Sequence, residues 1–405
     1  MFPLFPLAFA PALNSAILFK EVALSTSLFY SGEINMVELN FATLKKQFVN
    51  DAIKSKTPIL AQYELTPRCN FDCRMCYIHN QDSNKLKDRE LTTEQWKHIF
   101  DQACDLGLLY ATLTGGECML RDDFKELYIH LINRGVYVSV ITNGVLLNDD
   151  MIEFFKTYPP EKLYISVYGS DEDAYLNLTG HRAFTKVFSS IERVKEANIN
   201  FDLQVTGCSY IADDYINILR YLKENKLPSG FRDFLLLKKR DDASSSDHFL
   251  SSDQILRLSI ERQRLYSEPV AVPYSDLPET GGNICDGKKM GLTCTAGNCL
   301  AFVNWEGKMY PCVSSYPYGG FSLLEMSYAD AWEENMKCAS ELCECAECEG
   351  CAYKSACSKC LFERAEDVYS GHCNPDVCEL TKRLVAAGIK KLDKPQDDNN
   401  DAIVH

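Results

Sequence analysis

Between residues 60 and 238 the chain alternates short β-rich runs with longer stretches whose apolar residues recur at helical spacing. The pattern predicts strands over 62–66, 110–114, 136–142, 162–167, 200–206 and 232–237. Helices are predicted over about 92–106, 121–134, 149–157, 184–198 and 213–226. Several strand runs are almost wholly apolar, as expected when both faces of a sheet are covered. Regular alternation of β and α predicts an α/β fold with a parallel sheet and right-handed crossovers. Six strands suit either an open doubly wound sheet or a partial barrel. Both architectures bind ligands at the C-terminal strand ends.

The pattern changes elsewhere and sets the expected domains. Residues 1–59 are an N-terminal extension and lead-in helix, and 60–238 the α/β core. Residues 239–283 are a linker, rich in Ser, Asp, Pro and Gly, around one helix over 251–267. Residues 284–380 are cysteine-rich with little regular periodicity, so bound metal is expected to hold them together. Residues 381–405 form a polar tail. The first 19 residues are apolar and uncharged, without the basic start of a secretory signal, and Pro3, Pro6 and Pro11 oppose a membrane helix. An ordinary amphipathic stretch begins at Met36, from which translation is expected to start. No later apolar run is long enough to span a bilayer.

The composition is that of a globular protein: 405 residues, 46% hydrophobic and 24% charged. A net charge of −15 argues against nucleic acid or an anionic membrane as main partner. Cysteine changes the picture. There are 19, an odd number, in a chain too long for a small disulfide-stapled domain. Thirteen lie from Cys285 to Cys378, and Cys69, Cys73 and Cys76 form a second group. Clusters at such short spacing favour metal over disulfides. Cys104, Cys118 and Cys208 stand alone and read as small core residues.

Cys69, Cys73 and Cys76 follow the first strand with three and two residues between them. Three thiolates on one loop can hold three corners of a cubane iron–sulfur cluster and leave the fourth iron open. A structural zinc site would need a fourth ligand, for which His79 is near enough. The second strand ends in Gly115-Gly116-Glu117, where glycines admit close backbone approach and an acidic side chain can pair with an ammonium.

These features together resemble the radical SAM superfamily. The resemblance implies a partial (β/α)6 TIM-like barrel with a 4Fe–4S cluster on Cys69, Cys73 and Cys76. The open iron would bind S-adenosylmethionine (SAM), whose reductive cleavage yields a 5′-deoxyadenosyl radical. Gly115, Gly116 and Glu117 would contact the SAM amino group, with Cys118 standing where the family usually has proline. Asn143 and Ser166, at the third and fourth strand ends, would face SAM, and Tyr77 would flank its adenine. At the fourth strand this chain has Tyr168 where many members have aspartate.

In the C-terminal region, Cys294, Cys299 and Cys312 are spaced by four and twelve residues, and Gly307 stands five before Cys312. Cys348, Cys351, Cys357 and Cys360 follow, then Cys378. This resembles a SPASM domain, the loop-rich extension that carries two auxiliary 4Fe–4S clusters, although two residues separate Cys357 from Cys360 where three are usual. By position, Cys294, Cys299, Cys312 and Cys360 would hold one cluster, and Cys348, Cys351, Cys357 and Cys378 the other. Cys338, Cys343, Cys345 and Cys373 are surplus.

The resemblance implies an oxidoreductase-type enzyme that modifies a peptide or protein, foremost the maturation of a ribosomally made precursor. It also implies a flavodoxin or ferredoxin-type electron donor. Oxygen-sensitive clusters imply a cytoplasmic location. One alternative is a formylglycine-generating sulfatase maturase. Another, from a different class, is a non-catalytic zinc or iron–sulfur module, against which Gly115-Gly116-Glu117 argues. No catalytic acid or base is indicated.

Overall fold

The computed structural model describes residues 41–78, 86–232, 248–266, 294–342, 348, 351–357, 360, 365–367 and 372–392. Residues Met1–Phe48 and Val49–His405 are two compact units. The described part of the first is the opening of α1 (Phe41–Ser55), and every later element belongs to the second. The expectations for the start at Met36, for His79 and for most of the linker and tail lie outside the described residues.

Six parallel strands form the core in the order β6-β5-β4-β3-β2-β1. They are β1 (Leu60–Glu64), β2 (Tyr110–Thr114), β3 (Tyr137–Thr142), β4 (Leu163–Val167), β5 (Phe201–Thr206) and β6 (Ser229–Arg232). The helices between them are α2 (Thr93–Asp105), α3 (Phe124–Asn133), α4 (Asp149–Thr157), α5 (Glu172–Thr179), α6 (Phe184–Glu196) and α7 (Tyr215–Glu224). This is the partial (β/α)6 barrel. Each strand sends alternate side chains toward its helices. Tyr63 is fully buried against Trp96 and Phe100 of α2 in edge-on ring contacts.

Local sequence explains the element ends. Thr92 caps α2 in a reciprocal box with Gln95, and Asn148 caps α4 by accepting from the Met151 N–H. The helix α5 was not expected from periodicity. Asp171 starts it by accepting from Asp173 and Ala174, and Gly180, at φ 75°, ends it in the left-handed region.

Residues 300–342 are more regular than expected. The parallel strand β7 (Leu300–Val303) pairs with β1, and β8 (Lys308–Tyr310) and β9 (Phe321–Ser322) continue the sheet antiparallel. The helix α9 (Tyr328–Glu341) buries Tyr328 and Trp332, and the Trp332 indole donates to the Lys56 carbonyl at 2.9 Å. This stretch therefore adds buried apolar residues, among them Ala301 and Val303 of β7, to the same core as the barrel. The remaining elements are α8 (Ser252–Tyr266), close to the expected helix, the pair β10 (Ala365–Asp367) and β11 (His372–Cys373), and α10 (Pro375–Ala386). Among the described residues no helix is long and apolar enough to cross a membrane.

Candidate active site

The cysteine loop leaves the C-terminal end of β1 and is strapped to α5. The N–H groups of Asp72 and Arg74 donate to the carbonyls of Thr179 and Leu178 at 3.0 and 2.9 Å. The Cys76 N–H closes a turn on the Cys73 carbonyl at 2.9 Å. From outside, the Arg74 guanidinium lies 3.8 Å from the Tyr210 ring centre and donates to Asn177. Cys73 is buried, and Cys69 and Cys76 are partly so.

The Cys69 thiol is pushed up to about 12, mainly by burial and with help from Glu117 and Cys76, while hydrogen bonds from the Phe71 N–H and the Asn143 amide oppose the rise. Burial raises Cys73 well above its ordinary value, with Cys76 and Cys69 adding to the effect. Thiols this close together, one buried and two partly so, are costly as free thiolates and suit a cationic iron centre that takes them as ligands. Among the described residues no three His, Cys, Asp or Glu side chains converge closely enough for one metal ion. A cubane cluster instead takes its thiolates on separate corners.

The loop after β2 is laced to the chain just ahead of the cysteines. The Gly116 N–H donates to the Thr66 carbonyl and the Glu117 N–H to the Arg68 carbonyl, each at 2.8 Å. A side chain on Gly115 would lie 2.4 Å from the Thr66 oxygen, and one on Gly116 would lie 2.4 Å from the Arg68 oxygen. Gly115 also sits at φ 145°. The glycines are thus required by neighbouring backbone.

Glu117 is fully buried, at 0% exposure, and its carboxylate is turned inward. One oxygen accepts from the Met119 N–H at 3.2 Å. The other accepts from the Thr142 hydroxyl at 2.8 Å and the Asn143 N–H at 2.9 Å. Burial raises its pKa, and these hydrogen bonds oppose the rise. Cys118 is buried too, its thiol donating to the Ile141 carbonyl at 3.6 Å.

The other candidates gather around the same strand ends. The Asn143 amide donates to Asn70 Oδ1 at 2.6 Å and to Cys69 Sγ at 3.7 Å. The Tyr77 hydroxyl donates to Glu64 Oε1 at 3.2 Å, at the end of β1. Ser166 hydrogen-bonds Tyr168, whose hydroxyl burial pushes well above its ordinary range. Phe71 of the cysteine loop packs edge-on against Tyr168, with ring centres 6.0 Å apart.

In the C-terminal part, burial raises the thiols of Cys294, Cys299 and Cys312, and Cys294 lies close enough to both others to add to their shifts. The thiol of Cys299 is pushed to about 12. Cys348 is buried and Cys351 exposed, and the Cys351 N–H donates to the Cys348 carbonyl at 3.3 Å. Thr381, one turn beyond Cys378 on α10, donates to Cys357 Sγ at 3.8 Å. Cys360 is partly buried. Cys343 and Cys345 lie outside the described residues.

Sequence reasoning passed over one largely buried ionic group at the root of both loops: Arg68, Glu90, Arg121 and Asp123. The available signal was adjacency, since Arg68 directly precedes Cys69 and Arg121 follows Glu117 by four residues.

The profile of the Radical SAM superfamily matches residues 63–222, the barrel just described. The chain is 34% identical over 289 residues to the PqqA peptide cyclase of Granulibacter bethesdensis, covering 66% of this chain and 72% of that one. It is 25% identical to the AdoMet-dependent heme synthase of Methanosarcina barkeri, covering 76% of this chain and 92% of that one. Its fold is similar to that of Streptococcus suis SuiB bound to precursor peptide SuiA, with a TM-score of 0.60, 15% identity, and 91% and 88% of the two chains covered. A parallel partial barrel with a three-cysteine loop at its first strand end defines an S-adenosylmethionine-dependent iron–sulfur enzyme. The chain belongs to the radical SAM superfamily, whose members use a 4Fe–4S cluster and SAM.

Proposed function

We propose that the chain is a radical SAM enzyme of the SPASM type that modifies a peptide, in the maturation of a ribosomally made precursor. The observation that carries this reading is the lacing of the Gly115–Glu117 loop to Thr66 and Arg68, the residues that lead into Cys69, at adjacent parallel strand ends. In this reading Cys69, Cys73 and Cys76 hold the SAM-binding cluster, and Gly115, Gly116, Glu117, Asn143, Ser166 and Tyr77 shape the SAM site. When bound, cluster and SAM supply a 5′-deoxyadenosyl radical.

The side chains have supporting tasks. Glu117 holds the end of β3 against the loop after β2 through its two bonds to Thr142 and Asn143. Asn143 aims an N–H at the Cys69 sulfur, a contact that favours the thiolate and steadies the ligand. Phe71 and Tyr168 supply an apolar wall, which helps to exclude water from a reactive centre.

Cys294, Cys299, Cys312 and Cys360 are assigned to one auxiliary cluster, and Cys348, Cys351, Cys357 and Cys378 to the other. The domain division is 60–238 for the core, 239–283 for the linker and 284–380 for the SPASM part. A flavodoxin or ferredoxin-type donor and a cytoplasmic location complete the reading.

The peptide substrate is supported by the 34% identity to a peptide cyclase. A second reading, a tetrapyrrole substrate, is favoured by the match over 92% of a heme synthase. Anaerobic reconstitution followed by a 5′-deoxyadenosine assay separates them. Stimulation by the peptide of a neighbouring small reading frame, with a mass change in that peptide, is expected. Stimulation by a sulfatase peptide points to formylglycine formation. Stimulation by an iron tetrapyrrole alone replaces the peptide reading with the second.

A further inference from the structure

Glu90 belongs to no motif. It precedes α2 by three residues, and its side chain is 6% exposed. Its carboxylate accepts from Arg68 twice, at 2.6 Å from Nε and 3.0 Å from Nη2. It also accepts from Arg121 Nη1 at 3.4 Å and from the Thr66 hydroxyl. Arg121 in turn donates to the Leu65 and Leu91 carbonyls at 3.2 and 3.0 Å, and grips Asp123 through two bonds of 2.8 and 2.7 Å.

The placement of these partners is informative. Thr66 and Arg68 are the residues whose carbonyls accept from Gly116 and Glu117. Arg68 leads into Cys69, and Arg121 leads out of the segment that starts at Glu117. One carboxylate therefore ties the entry of the cysteine loop to the exit of the loop after β2. Two arginines balance two carboxylates, so the charge closes on itself. Buried ion groups of this kind add little net stability but fix geometry tightly, because bidentate Arg–carboxylate bonds are directional.

We propose that Glu90 is a positioning residue that sets the register between the cluster loop and the SAM loop, and thereby governs SAM binding at the cluster, not cluster assembly. This rests on the reading of Cys69, Cys73 and Cys76 as cluster ligands and of residues 115–117 as the SAM loop. Replacing Glu90 by Gln weakens its hold on Arg68 and Arg121. Arg121 keeps Asp123, and Arg68, with 16% side-chain exposure, can turn to solvent. The barrel then stays folded while the tie is loosened.

The test uses the full-length, anaerobically reconstituted protein and three readouts: iron per chain, SAM dissociation constant, and the change that SAM causes in the electron paramagnetic resonance signal of the reduced cluster. Glu90→Gln is expected to keep the iron content while SAM binds about tenfold more weakly. Arg68→Gln cuts the same tie from its outer side and is expected to behave alike, including where Glu90→Gln proves insoluble. The double variant is expected to be no weaker than either single one, as residues acting through one contact are non-additive. The neighbouring Arg89→Gln, which removes a surface pair with Glu306 and a ring contact with Trp305 but touches neither loop, leaves all three readouts unchanged. Unchanged SAM affinity in both single variants, additive losses, or loss of iron in both overturns the proposal. Failure of SAM to alter the cluster signal in the unmodified protein would instead refute the underlying reading, and the proposal with it.

Discussion

The backbone N–H of Asn143 donates to the Glu117 carboxylate at 2.9 Å, across two adjacent strand ends. The same carboxylate oxygen takes the Thr142 hydroxyl, and Asn143 uses its side-chain amide on Asn70 and Cys69. Glu117 thus connects the loop after β2, through β3, to the first cysteine.

Glu117→Gln keeps the size but presents an N–H where N–H and O–H groups now donate. Loss of charged hydrogen bonds is worth about 1.5–3 kcal/mol, so SAM affinity should fall roughly ten- to a hundredfold. Thr142→Val is informative beside it. If Glu117 works by holding β3, removal of the Thr142 hydroxyl lowers affinity in the same direction. Unchanged affinity in Thr142→Val with a loss in Glu117→Gln would mean that the carboxylate meets SAM itself.

The same residue has a pH signature. Burial raises the Glu117 pKa above its unfolded value of about 4.3, so the folded state binds more protons in the window above that value. Stability must therefore fall as pH rises from about 4.3 through the folded pKa. Thermal midpoints measured across this range should show a negative contribution that Glu117→Gln removes. Parallel curves for the two proteins would contradict it.

Much of this was legible in the sequence where signals were local. Strand β2 and helix α4 match the predicted residues, and β3, β4 and β5 differ by one residue at their starts. The three-cysteine loop and Gly115-Gly116-Glu117 were visible because each is a short motif at a strand end. The strand β1 lies two residues earlier than predicted. Leu65 and Thr66 look strand-like, but past Glu64 the ladder ends: the Leu65 N–H makes one last bond, to the Thr114 carbonyl of β2, and the Thr66 carbonyl accepts from Gly116 in the neighbouring loop. Helix α5 was hidden by its mixed sequence, though Asp171 and Gly180 mark its ends. The hairpin of β7 and β8 was hidden by the cysteines around it. The Glu90 group could not be found by pattern, since Arg68, Glu90 and Arg121 are spread over more than fifty residues and meet only in the fold.

Replacing Cys69, Cys73 and Cys76 together with Ala should abolish 5′-deoxyadenosine formation. On the three-cluster reading, iron should fall from about twelve to about eight per chain. The barrel should remain folded, because Tyr63, Val140, Ile165 and other buried strand residues belong to an apolar core that extends far beyond the loop. Deoxyadenosine production by this variant would remove the cluster assignment.

Cys351→Ala tests the auxiliary assignment. Cys351 is exposed and Cys104 is partly buried beside Arg134, so neither change opens a large cavity. Cys351→Ala should lose iron, and Cys104→Ala should not. The apolar core of β7, β8 and α9 leads us to expect that Cys351→Ala stays soluble. Stoichiometric zinc, or only about four irons per chain in the unmodified protein, would leave a radical SAM barrel joined to a different metal module.

Gly116→Ala asks whether the two loops must touch. The new Cβ would meet the Arg68 carbonyl oxygen at 2.4 Å and the Pro67 oxygen at 2.7 Å, both main-chain atoms that cannot swing aside. The loop has to move, and the Glu117 N–H loses the Arg68 carbonyl that it reaches at 2.8 Å. Overpacking of this kind costs about 1–3 kcal/mol. Gly135→Ala is the matched control: it sits at φ 83° with nothing within 4 Å of the added carbon, so its cost is backbone strain of about 1–2 kcal/mol. Both variants should therefore melt at lower temperature. Only Gly116→Ala should also bind SAM more weakly at a temperature where both are fully folded. Equal SAM affinity in the two variants would show that contact between the loops serves stability alone.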